Sequence, residues 1–165
     1  MIWMPYLIDG HNLIPKIPGL HLSAVNDEMR LVELLQEFCR LSRKKVEVYF
    51  DQAAQGQAGQ RKLGTVAAHF VRVGSTADEA IMARLHKMGR SARNWTVVSS
   101  DQRVLTTAHQ AGAQTLTSEE FARTVQTTLA SGANRKSVKA ADTRLSQDEV
   151  EEWLEIFKSK PDQCQ

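Results

Sequence analysis

Cysteine is nearly absent from this chain of 165 residues, with only Cys39 and Cys164 present. One falls in a helical apolar pattern and the other is next to the last residue, so no disulfide framework is indicated. Neither has a second thiol or paired histidines nearby, which argues against a zinc site. Long apolar runs are missing as well. Nothing approaches the length of a membrane span, and the first apolar run is too short and lacks the basic start of a signal peptide. The expectation is a cytoplasmic protein with no membrane partner. Three phosphate- and acyl-chemistry signatures are also lacking: no glycine-rich run ends in Gly-Lys-Ser/Thr, no G-x-G-x-x-G follows the first strand, and no G-x-S-x-G elbow occurs. Nucleotide-cofactor and serine-hydrolase readings are therefore disfavoured.

What is present is ordinary for a globular protein, 42% hydrophobic and 24% charged residues, in a length that suits one domain with its own core. Charge is uneven along the chain. Lys and Arg outnumber Asp and Glu by 15 to 12 in residues 1–130 and by 4 to 1 in 131–145, whereas residues 146–165 hold 2 against 6. A mildly basic body and linker followed by an acidic segment is compatible with a nucleic-acid partner.

The chain is organised around Tyr6-Leu7-Ile8-Asp9-Gly10-His11-Asn12. An unbroken apolar run suits a strand buried on both faces of a parallel sheet, whose carboxyl-end loops form the ligand crevice. Asp9 is then either turn chemistry or a carboxylate delivered to that crevice by a rigid strand. A helix capped by Ser23 or Asn26 is expected to run to about Lys44, with Leu31, Leu34, Leu35, Phe38 and Leu41 on its buried face. The second strand, Val46 to Asp51, again ends on an acid. Residues 52–64, rich in Gln, Ala and Gly, suggest a flexible loop carrying Arg61 and Lys62, and Val66–Val73 suggests a strand at a sheet edge. Thr76 with Glu79 forms a capping box, so a helix starts there with Asp78 in its first turn. Asp78 is either a partner of the helix dipole or a carboxylate projected into the crevice. Trp95 to Asp101 is a further strand closing on an acid. A short helix ended by Gly112, a strand at 113–116 and a helix from 118 to 130 opened by Thr117 and Glu120 follow. Alternating strand and helix patterns predict a three-layer α/β fold with a mostly parallel central sheet. Residues 131–145 suggest a basic linker. Ser146 and Glu149 open an acidic amphipathic helix and tail at 146–165, with Val150, Trp153, Leu154 and Phe157 as its apolar stripe.

Asp9, Asp51 and Asp101 stand where strands give way to loops, and Asp78 at a helix start. In a parallel sheet all four reach one rim, where crowded carboxylates repel each other unless protons or cations join them. An all-oxygen donor set suits Mg²⁺ or Mn²⁺ better than Zn²⁺. Such a cation can activate water and stabilise the leaving oxygen in phosphodiester hydrolysis without a protein nucleophile. His11 and His109 are read as structural or substrate-contacting.

At these residues the chain resembles the YacP-like branch of the NYN domains in the PIN-like nuclease superfamily. The pieces that carry the resemblance are YLIDGHN at 6–12, VEVYFD at 46–51, STADE at 75–79 and VVSSD at 97–101, in matching order across roughly residues 4–130. It implies a PIN-like (Rossmann-like) α/β fold over 1–130 and a Mg²⁺- or Mn²⁺-dependent endoribonuclease. It implies Asp9 and Asp78 as indispensable metal ligands, Asp101 and Asp51 completing or supporting the pocket, and Asn12 orienting Asp9 or a metal-bound water. His11 departs from the family, which more often has tyrosine there, although histidine can also stack on a base. His11, Arg61, Lys62 and Arg103 are the candidate RNA contacts, with Arg72, Arg135, Lys136 and Lys139 as further basic residues. The partner implied is RNA, single-stranded, with the translating ribosome as one setting. Two rival classes are a non-catalytic RNA- or ribosome-binding adaptor of the same fold and a small-molecule phosphatase.

Overall fold

In the computed structural model, residues 4–23, 26–53 and 56–136 are described. Strand β1, Tyr6–Asp9, is buried along its whole length, as its unbroken apolar character requires. On one side it pairs in parallel with β2, Val46–Ala53, and on the other with β5, Thr96–Val98. Strand β4, Val66–Arg72, lies parallel to β2, and β6, Gln114–Leu116, lies parallel to β5. The remaining strand, β3 at Gly59–Leu63, runs antiparallel to β4, giving a six-stranded sheet in the order β3-β4-β2-β1-β5-β6.

The pleat sends alternate residues to opposite faces, and two cores follow. On one face Tyr6, Ile8, Val48 and Phe50 pack with Leu31, Val32, Leu35, Phe38 and Cys39 of α2, Asp27–Ser42, and with Phe121, Ala122 and Val125 of α5, helical from residue 118. The rings of Tyr6, Phe38 and Phe121 meet there at centroid distances of 4.8 to 5.9 Å. On the other face Leu7, Tyr49 and Val97 pack with Ala77, Ile81 and Leu85 of α3, Ala77–Met88, and with Val104 and Ala108 of α4, Gln102–Gln110. The expected three-layer α/β arrangement holds. The same parity matters for function: Asp9 follows Leu7 by two residues and Asp51 follows Tyr49 by two, so both carboxylates are aimed at the face that α3 covers.

The structure corrects several local expectations. Residues 59–63 form strand β3 instead of lying in a loop. That strand is exposed on both faces, so it carries no apolar alternation by which sequence could reveal it. Consequently β4 is not the edge. Strand β2 does not stop at Asp51 but reaches Ala53, through a register shift after Phe50 and a left-handed Gln52 at φ 55°, the geometry of a bulge. The buried stripe of α2 includes Cys39, as its place in the apolar pattern suggests, and also Val32, which that pattern leaves out. The Asn26 side chain makes no capping hydrogen bond, and α2 ends at Ser42 with Arg43 in the left-handed region. The helix beginning at 118 continues through 136, six residues into the stretch that composition assigned to a linker. The chain divides after Leu129 into two compact units. The expected acidic helix at 146–165 lies outside the described residues.

Gly10 opens α1, the single turn Gly10–Leu13. Its backbone passes so close to Phe50 that a Cβ would overlap the ring, and Phe50 is fully buried with no room to retreat. Gly10→Ala should therefore destabilise the fold by about 1–3 kcal/mol, the usual cost of overpacking. A drop in the urea midpoint at unchanged slope checks it, and an unshifted midpoint would refute the packing argument.

Candidate active site

Three of the four acids expected at the rim come together. Asp9 closes β1 and is only 4% exposed. Asp101 follows β5, and Asp78 sits in the first turn of α3. The Asp78 carboxyl lies within hydrogen-bond reach of both Asp9 and Asp101. Asp9 and Asp101 are also helix N-caps: Asp9 Oδ1 accepts from the Asn12 amide at 3.3 Å and Asp101 Oδ1 from the Arg103 amide at 2.8 Å. Turn chemistry and a shared rim are thus both true of the same residues.

Asn12 grips the other oxygen of Asp9, donating from Nδ2 to Oδ2 at 2.7 Å. The same amide nitrogen reaches Ser99 Oγ at 3.4 Å, and Ser99 Oγ accepts from the Asp101 backbone N–H at 3.0 Å. Ser99 is fully buried and links the first and fourth acids. Nothing in the sequence marks it, because one serine in a Ser-Ser pair at a strand end carries no distinguishing signal.

Asp51 stands one step aside. Its Oδ1 accepts from the Ala77 N–H at the start of α3, so it fixes the helix that carries Asp78. Farther along α3, Arg84 makes a forked pair with Glu47 of β2 at 3.1 and 3.0 Å and lies over the Trp95 ring. The helix is thereby tied to β2 at two points.

His11 lies beside the rim with both ring nitrogens engaged: Nδ1 accepts from the Asp51 N–H at 3.2 Å and Nε2 meets Glu28 Oε1 at 2.8 Å. His109 is exposed in the last turn of α4, at the end remote from Asp101. The candidate RNA cations are all exposed: Arg61 and Lys62 on β3, Arg61 stacked over Phe70, and Arg103 in the first turn of α4.

Electrostatics separates the acids. Asp78 is pushed up to about 7, first by burial and then by hydrogen bonds and charge from Asp9 and Asp101. Burial also pushes Asp9 up, with the charge of Asp51 adding and the hydrogen bonds from Asp78 and Asn12 opposing. Asp101 is held below the usual range by the Arg103 backbone N–H and by Asp78. Burial and mutual repulsion thus favour the protonated form at Asp78 and Asp9, whereas Asp101 is held in its charged form. Among the described residues no three His, Cys, Asp or Glu side chains stand ready-made around one cation position. The donor chemistry nevertheless fits a hard divalent ion: the groups are oxygens only, and their crowding already disfavours the fully charged cluster.

Because Asp78 is pushed up to about 7 in the native state while in the unfolded chain it titrates near 4, its contribution to stability is fully present below about pH 4 and is lost as pH rises through about 7. The thermal midpoint of the protein in EDTA should decline over that window, and Asp78→Asn should flatten the decline. Scans at a series of pH values check this, and an equally steep decline in the variant would contradict it.

Comparison with known proteins agrees with this architecture. The profile of the YacP-like NYN domain family matches residues 6–158. The crystal structure of Rae1 (YacP) from Bacillus subtilis aligns with a TM-score of 0.68 at 22% identity, covering 93% of this chain and 92% of that one. A single-substitution mutant of that Bacillus subtilis protein aligns at 0.69 and 23% identity, covering 88% and 89%. No curated protein matches. The fold is the PIN-like one, and the chain belongs to the YacP-like NYN domain family of the PIN-like nuclease superfamily.

Proposed function

We propose that this protein is a metal-dependent endoribonuclease that hydrolyses single-stranded RNA at the Asp9–Asp78–Asp101 cluster. Family membership supports a nuclease, RNA-related role. The observation that carries the finer reading is the meeting of Asp9, Asp78 and Asp101 at the carboxyl rim of a parallel sheet, with the Asp78 carboxyl within hydrogen-bond reach of both neighbours. A bare cluster of this kind would repel a phosphodiester. With Mg²⁺ or Mn²⁺ held by Asp9, Asp78 and Asp101, and Asp51 adjoining, the site gains a Lewis acid for phosphate and water.

The chain's own groups supply the rest. Asn12 holds both oxygens of Asp9, so that carboxylate is oriented before any ligand arrives. Ser99 fixes Asn12 relative to the Asp101 backbone. Loss of the Asp78 proton prepares the cluster for a cation. Arg61, Lys62 and Arg103 add positive charge on exposed surfaces, which steers a polyanion by long-range attraction and makes binding salt-dependent.

Asp9→Asn and Asp78→Asn should each lower RNA cleavage by about a hundred- to a thousandfold, the scale of losing one preorganised electrostatic group, while the fold remains cooperative. Cleavage of a labelled single-stranded RNA in Mn²⁺ or in EDTA measures it. Binding in both conditions with cutting in neither would identify an adaptor instead, and preferential turnover of a simple phosphomonoester would identify a phosphatase.

A further inference from the structure

His11 occupies an unusual place in the hydrogen-bonding of the sheet. Strand β1 ends at Asp9, whose partner on β2 is Tyr49. Asp51 lies two residues beyond that last pair, where its N–H has no strand partner on the β1 side. The ring of His11 takes the vacant place, with Nδ1 accepting from the Asp51 N–H at 3.2 Å. An acceptor nitrogen carries no proton, so in the neutral ring the proton is on Nε2, from which it is donated to Glu28 Oε1 at 2.8 Å. Glu28 is in the first turn of α2. The ring also rests edge-on against buried Phe50, centroids 5.6 Å apart. Its plane, position and tautomer are all set by the protein.

The far side of Asp51 completes the chain of contacts. Its carboxylate accepts from the Ala77 N–H, the residue before Asp78. A single imidazole thus connects α2, on one face of the sheet, to the start of α3 on the other, through the bulged end of β2.

On the footing of the nuclease reading above, we propose that His11 is a positioning residue: its Nδ1 substitutes for a missing strand partner of Asp51, and through Asp51 it sets where α3 places Asp78. It does not contact the reacting atoms.

The chemistry allows the two ends of the ring to be tested separately. Asparagine places an amide oxygen where Nδ1 stands, so His11→Asn keeps the acceptor for Asp51 and gives up Glu28. Glutamine places its amide near Nε2, so His11→Gln keeps the link to Glu28 and gives up the acceptor. Nitrogen-15 spectra of the wild type should show the Nε2-protonated tautomer. The Asp51 amide should exchange slowly with solvent in wild type and His11→Asn and rapidly in His11→Gln and His11→Ala. With single-stranded RNA and Mn²⁺, His11→Gln and His11→Ala should lose roughly ten- to a hundredfold in kcat, the usual range for a group that orients a ligand residue, at little-changed KM. His11→Asn should recover most of that loss. Slow Asp51 exchange in folded His11→Gln, or no recovery by folded His11→Asn, would overturn the proposal. A rise in KM alone would overturn it too, because that marks a substrate contact. If wild type cuts no RNA, the nuclease reading fails, and the exchange measurements decide the positioning role by themselves.

Discussion

A carboxylate with almost no access to water is the constraint around which the molecule is arranged. Asp9 is 4% exposed because it ends a strand flanked on both sides by longer-range partners and covered on its face by α3. A charge in that position is costly unless neighbours compensate it. Two hydrogen bonds from Asn12 and one from Asp78 provide the compensation, and the Asp78 carboxyl is itself pushed up by its two neighbours.

The rim is held from outside by contacts that have no direct role in it. Glu47 and Arg84 join β2 to α3 with a forked, half-buried ion pair, a geometry that restricts rotation of the helix more than a single contact would. The capping box of Thr76 and Glu79 closes the helix start reciprocally at 3.1 and 3.2 Å. On the opposite face the Tyr6, Phe38 and Phe121 cluster ties α2 and α5 to the central strand. Packing and polar anchoring thus reach Asp78 and Asp9 from separate directions.

Much of this was legible in the sequence because each strand end advertises itself. An apolar run cut by an acid occurs at Asp9 and Asp101, and the helix start at Asp78 is marked by its capping box. Parity then gives the face. Strand β3 was not legible, since an edge strand with both faces in water has no reason to alternate. Nor were the polar connectors. Ser99 looks like any small turn residue, and His11 with Glu28 is a pair separated by a loop whose path no spacing rule supplies. The continuation of β2 past Asp51 depends on a single left-handed residue, Gln52, of a type that gives no warning of that conformation.

The central strand has a temporal consequence. Strand β1 is made first, yet one of its two neighbours, β5, begins only at Thr96. A ribosome-bound chain that stops short of that point exposes an unpaired apolar edge and leaves Asp9 without Ser99 or Asp101. The acidic pocket therefore cannot close until the segment through Asp101 has followed the central strand out of the ribosome.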